Sequence, residues 1–175
     1  MNTLLITCLS WLLSVSAAFA QTTPEALEWV RNPDYHVQYQ VPNSWRVQMD
    51  AHDSAAVVTH VDPSGQILLV VAKLRDGARR QSPNEALDGL LRQFGVQGNK
   101  RYRTQYNGIE FVETTGSGRM GGRDLRYDAL AGHHRGHVLL VYIYATPEAY
   151  ATHDALLTEV VHSIAPYAAG RRPRP

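Results

Sequence analysis

Cysteine is almost missing from this chain. The single copy, Cys8, sits in an apolar N-terminal stretch that reads as a leader, so the chain from Gln21 onward carries no thiol. That excludes disulfides, a cysteine nucleophile, cysteine-ligated zinc and iron–sulfur clusters from the mature protein. A surplus of charge is missing too: 17 Lys and Arg stand against 16 Asp and Glu, a net charge of +1. No general attraction to polyanions or membrane surfaces follows, and nucleic acid is not an expected partner. The sequence lacks HExxH, and none of its serines lies in GxSxG, so the familiar zinc-protease and serine-hydrolase signatures are absent. There are no internal repeats.

The stretch Leu4 to Phe19 is apolar and ends in Ala18-Phe19-Ala20, the small-x-small pattern that signal peptidase reads. Only the α-amino group supplies the positive charge ahead of it, since Met1-Asn2-Thr3 has no basic side chain. A membrane anchor is the rival reading, but the run is shorter than the roughly 20 residues of a spanning helix. Thr7, Cys8, Ser10, Ser14 and Ser16 dilute it further. A lipoprotein reading through Leu5-Ile6-Thr7-Cys8 has too little apolar chain before the cysteine. The expectation is a signal peptide over residues 1–20, cleaved near Ala20-Gln21, and a periplasmic or secreted protein with no transmembrane segment after its removal. Residues 21–167 are read as one domain, and 168–175, with Arg171, Arg172 and Arg174 among prolines, as a disordered basic tail.

Pro24 to Val30 reads as a short helical turn with Thr23 as cap. Tyr35, Val37, Tyr39 and Val41 alternate with polar residues, the period of a half-buried strand. Pro42-Asn43-Ser44 turns the chain into a strand beginning at Trp45-Arg46-Val47. Ala55 to Val61 is the next strand, Asp62-Pro63-Ser64-Gly65 a turn, and Ile67 to Ala72 a continuous apolar run suited to a strand covered on both faces. Ser82-Pro83-Asn84-Glu85 carries a capping box, followed by Leu87, Leu90, Leu91 and Phe94 at helical spacing and Gly95 as terminator. Lys100 to Tyr106 and Ile109 to Thr115 form a predicted hairpin about Asn107-Gly108. Gly116 to Gly122 reads as a flexible connection. Asp124 to Ala145 is then a second hairpin, whose second strand, Val138 to Tyr144, is the most apolar run after the leader and the predicted rib of the sheet. Thr146-Pro147 opens a last helix striped by Tyr150, Leu157, Val160, Val161 and Ile164. Short connections between strands mean antiparallel pairing, so the fold class is α+β: an antiparallel sheet with helices packed on it, an α/β/α sandwich.

The opening strand YHVQYQVPNSW, the apolar strand before the Ser82-Pro83 helix and the closing strand and helix from His137 to Ile164 together resemble the PsbP-like and DcrB-like proteins. The resemblance covers the mature chain apart from its tail. It implies a non-enzymatic scaffold, used by accessory subunits, envelope proteins and chaperones for secreted effectors, and it transfers no site residues.

Eight histidines lie outside the leader. His133, His134 and His137 cluster in the loop of the second hairpin, and imidazoles are common ligands of zinc or copper. No carboxylate shares that loop, and neighbours such as His133 and His134 point apart on a strand. Glu159 and His162 have the i, i+3 spacing of di-iron helices but lack the further carboxylates such a site needs. Gly116 to Gly121 matches GxGxxG, yet a strand follows where a dinucleotide site needs a helix. Ser117, His52, Asp53 and His60 are the residues a hydrolase would draw on. Arginines at 75, 79, 80, 101, 103, 119, 123 and 126 read as solvated positions. The leading expectation is a small exported domain, not an enzyme and without cofactor, whose partner is another protein: an accessory factor, an immunity protein or an envelope chaperone. The alternative is a periplasmic metal-binding protein using His133, His134 and His137, with zinc or copper as the ion. A hydrolase stands third.

Overall fold

In a computed structural model of the chain, the structure describes residues 25–51, 55–74, 81–96 and 100–167. The leader, the tail, His52, Asp53, Arg75, Arg79 and Arg80 lie outside these. Among the described residues, two helices, α1 (Pro83–Gln93) and α2 (Pro147–His162), accompany ten strands. The strands are β1 (Leu27–Asn32), β2 (Val37–Pro42), β3 (Arg46–Ala51), β4 (Ala55–Val61), β5 (Ile67–Leu74), β6 (Tyr102–Tyr106), β7 (Ile109–Met120), β8 (Arg123–His134), β9 (His137–Ala145) and β10 (Ala165–Pro166). Seven of them make one antiparallel sheet in the order β3-β4-β5-β9-β8-β7-β6. A small sheet, β1-β2-β10, lies apart from it.

The rib expected from sequence is the centre of the large sheet. β9 pairs with β5 on one side and β8 on the other, and its side chains feed two cores. Leu139, Val141, Ile143 and Ala145 face α2 and the small sheet, packing with Leu157, Val160, Val161, Val37, Tyr39 and Val41. Val138 and Leu140 face α1 with Leu87, Leu90, Leu91 and Phe94. Strict alternation with both faces buried is what a continuous apolar run needs, and it produces the α/β/α layering.

α1 begins as its sequence requires. The Ser82 Oγ accepts from the Glu85 N–H at 3.2 Å, and the Glu85 carboxylate accepts from the Ser82 N–H at 2.6 Å. This capping box satisfies two donors that the first turn leaves without helical partners. Ser82→Ala is expected to cost about 1 kcal/mol. A thermal melt should register this as a loss of about 2–4 °C.

Three expectations are corrected. The segment read as a helical turn from Pro24 is instead the strand β1, paired with β2 from Leu27↔Pro42 to Asn32↔Val37. Leu27 and Val30 suit either state, and the row of main-chain groups along β2 decides for the strand. β2 and β3, though joined by a tight turn, do not pair: the turn carries the chain from the small sheet to the edge of the large one. Residues 116–122 are not a flexible connection, because β7 and β8 pair as far as Met120↔Arg123 and turn at Gly121 and Gly122, both with positive φ. Gly118 keeps that strand close to α1. A Cβ there would stand 2.6 Å from the Phe94 carbonyl oxygen, which accepts from the Arg119 N–H at 2.7 Å.

Candidate functional site

The β8–β9 hairpin closes through the two residues Arg135 (φ 52°) and Gly136 (φ 80°), the left-handed conformation of a tight hairpin turn. His134 and His137 are its closing pair, and His133 stands opposite Val138. Side chains that face each other across a ladder share a sheet face, so His134 and His137 lie on the α2 face. The pleat turns His133 to the α1 face. The His134 ring ties the tip to the small sheet. Its Nε2 donates to the His36 carbonyl oxygen at 2.9 Å, a carbonyl that also accepts from the Tyr167 N–H at 2.8 Å. That bond protonates Nε2, leaving Nδ1 as the lone-pair nitrogen of a neutral His134. Among the described residues, no three His, Cys, Asp or Glu side chains converge as a metal set would.

His133 instead borders a groove of about 580 Å³. Its walls are the start of α1 (Pro83, Asn84), the β6–β7 hairpin (Arg103 to Gln105 and Glu110 to Val112) and the end of β8 (Ala131 to His133). The groove exists because β7 and β8 stop pairing at Val112↔Ala131, while β6 and β7 continue together to Tyr106↔Ile109. Gly132 permits the crossing, since a Cβ there would collide with the Glu110 carbonyl oxygen. The N–H and C=O of His134 point at His137 across the turn, so those of His133 point the opposite way, toward the side that β7 has left. Arg103 and His133 are the basic groups of the groove and Glu110 its carboxylate.

The other candidates from sequence are dispersed. Ser117 is a residue within β7, so the GxGxxG match lies mainly in a strand. His162 stacks on Tyr106 with ring centroids 4.5 Å apart, while Glu159 is exposed. His60 is wholly buried in the core. Arg126 lies over the Tyr150 ring, 5.3 Å from its centroid, and Arg101 pairs with Asp88 of α1.

No protein-family model and no characterised protein matches the sequence. Solved structures do match the fold. The solution structure of cyanobacterial PsbP (CyanoP) from Synechocystis superposes with a TM-score of 0.57 at 11% identity, covering 84% of this chain and 96% of that one. The fold is that of PsbP. Two further structures are similar at lower scores. One is a Pseudomonas aeruginosa protein of unknown function described as a putative regulator (TM-score 0.46, 15% identity, 85% of this chain and 98% of that one). The other is LpqN, involved in cell envelope biogenesis in Mycobacterium tuberculosis (TM-score 0.47, 16% identity, 82% and 91%).

On this PsbP fold, sequence reasoning missed the groove beside His133, the half-buried carboxylate of Asp128 and the burial of His60. Asp128 faces α2 beside Glu113, its Oδ1 buried without a hydrogen-bond partner. His60 shares a 2.8 Å hydrogen bond with the Tyr39 hydroxyl. The signal for both was present, a polar residue at an inward position of an alternating strand, Asp128 beside Leu130 and His60 beside Val58. Among the described residues, no helix is long and apolar enough to cross a membrane.

Proposed function

We propose that this chain is an exported, non-enzymatic accessory domain of the periplasm that receives an extended segment of another protein in the groove beside the β8–β9 tip. The observation that carries this reading is the main chain of His133, whose N–H and C=O face an open groove where β7 has departed. Such an edge offers strand-like hydrogen bonds to a peptide, while flanking side chains select its sequence. Arg103 and His133 favour an acidic segment. The PsbP fold supports the reading as a scaffold for accessory proteins, and the leader-like N-terminus supports export.

Photo-crosslinking side chains placed at 103, 133 and, as a control, the exposed position 154 test the reading in exporting cells. One partner should be captured from 103 and 133 but not from 154. With that partner purified, the pair Arg103→Glu/His133→Glu should weaken binding at least about tenfold, as charge repulsion at a contacting site requires. Equal capture at all three positions, or unchanged affinity of the charge-reversed pair, would overturn it.

A further inference from the structure

The helix α2 is fastened to the sheet unevenly along its length. Its second half is clamped: Leu157, Val160 and Val161 are buried in the core, and the Asn107 side chain donates to the carbonyl oxygens of His162 and Ile164 at 2.9 Å each. The His162 ring stacks on Tyr106. The first half is different. Ala149 is buried and Tyr150 half-buried, and then Ala151 to Ala155 are all exposed. Helical spacing puts position 153 on one face with Ala149 and Leu157, four residues to either side. That inward position holds a histidine, and it is exposed. The apolar stripe that fastens the helix is therefore broken at this turn.

Beneath this half the sheet is polar. Asp128 of β8 lies on the α2 face with its Oδ1 buried and, among the described residues, without a hydrogen-bond partner. Thr115 stands opposite it, so Glu113, two residues away along β7, is its diagonal neighbour on the same face. The other titratable groups about the pair are Tyr102 and Tyr106 on β6, Arg126 on β8, and Tyr150, His153 and Asp154 on α2. β9 adds none, since its residues here are Val141, Ile143 and Ala145. The Tyr106 hydroxyl donates to Glu113, and Arg126 lies exposed over the Tyr150 ring. Among the described residues, neither carboxylate has an ion pair. Two such groups on one face cannot both ionise without cost while the helix keeps water from them.

We propose that the first half of α2 is a proton-operated latch: a proton held by Asp128 beside Glu113 keeps Tyr150 to Leu156 on the sheet, and its loss opens that stretch locally while Leu157 to Ile164 stays in place. Burial, and after it the Glu113 charge, lifts the Asp128 carboxyl from 3.8 to about 7. The closed latch keeps the proton and the open one releases it, so between these two values opening becomes easier by about tenfold for each pH unit. Below pH 3.8 both states hold the proton and above about 7 neither does, which confines the change to that window. Local opening of this kind exposes part of a fold without unfolding the rest. The groove beside His133 lies on the α1 face, so the latch works on the opposite side of the sheet.

Amide hydrogen exchange of the full chain, corrected for the intrinsic pH dependence of exchange, reads the latch directly. The amides of Tyr150 to Leu156 should lose protection by about tenfold per unit from about pH 5 to 7 and then level off, while those of Val160 and Val161 keep theirs. Asp128→Asn should abolish that loss. Glu113→Gln should move the levelling to lower pH, because Asp128 then ionises without a charge beside it. Equal slopes in the parent and in Asp128→Asn overturn the proposal. So does a loss of protection that Val160 and Val161 share, which marks global unfolding, or a levelling that Glu113→Gln leaves in place.

Discussion

Asp128→Asn is expected to stabilise the protein by ~2–4 kcal/mol at pH 8, an unusual gain from removing a charge. Asp128 lies on the α2 face of β8, between Thr115 of β7 and Ile143 of β9. Burial is the main cause that lifts its carboxyl to about 7, the neighbouring Glu113 adds to it, and the Ala129 N–H opposes them weakly. The same carboxylates, after burial, help push the Tyr150 hydroxyl up to about 12. Glu113 is itself held by the Tyr106 hydroxyl, which donates to its Oε2 at 2.9 Å. With Asp128 raised in the folded state from 3.8 to about 7, its full contribution to stability is present below pH 3.8. That contribution falls as pH rises toward 7, because the unfolded carboxyl ionises freely while the folded one must hold its proton or lose its hydration. Asparagine keeps the shape and removes the ionisation. Urea titrations at several pH values measure the effect. A variant no more stable than the parent at pH 8, with the same slope between pH 4 and 7, would refute this account of the cluster.

His60 works in the opposite direction, and the Asp128→Asn background exposes it. Its ring is 0% exposed, it meets the Tyr39 ring edge-on at 5.4 Å, and its Nδ1 has no hydrogen-bond partner. Burial lowers its pKa from 6.5 to about 4 and also raises that of the Tyr39 hydroxyl, so the pair is neutral in the folded protein. The unfolded chain takes up a proton near pH 6.5, whereas the folded chain refuses it until about pH 4. Stability is therefore fully present above pH 6.5 and is lost as pH falls through that window, by about 3 kcal/mol. In the parent this acid loss opposes the gain from Asp128, so the two contributions largely offset each other between pH 4 and 6.5. In Asp128→Asn it should appear as a clear decline on acidification. The pair His60→Leu/Tyr39→Phe should abolish the decline, because removing both partners leaves no buried polar group stranded. A decline that persists in that variant would place its source elsewhere.

Local chemistry was legible residue by residue. Ser82, Pro83 and Glu85 announced α1, Asn107-Gly108 announced a hairpin whose turn residues have φ of 48° and 89°, and the run from Val138 to Tyr144 announced the central strand. Each signal rests on relations among near neighbours in the chain, which the backbone reads without its tertiary surroundings. The histidine loop was legible as a hairpin tip, and the pleat that separates His133 from His134 follows from sequence neighbours alone.

Relations along the chain thus set where most strands and helices start, which of their faces are apolar, and that the chain makes an α+β sandwich. Which strand meets which came from the packing of the whole chain. It paired the segment after Pro24 with β2 instead of coiling it, and it moved β2 into a second sheet. It sank His60 against Tyr39, 21 residues away, and tied His134 to His36 across 98. It also parted β7 from β8 to open the groove and, among the described residues, left β3 with β4 as its one neighbour. The reason is physical: a side-chain period says that a face will be buried or an edge will be exposed, but what covers the face and what meets the edge depend on how all the layers pack at once.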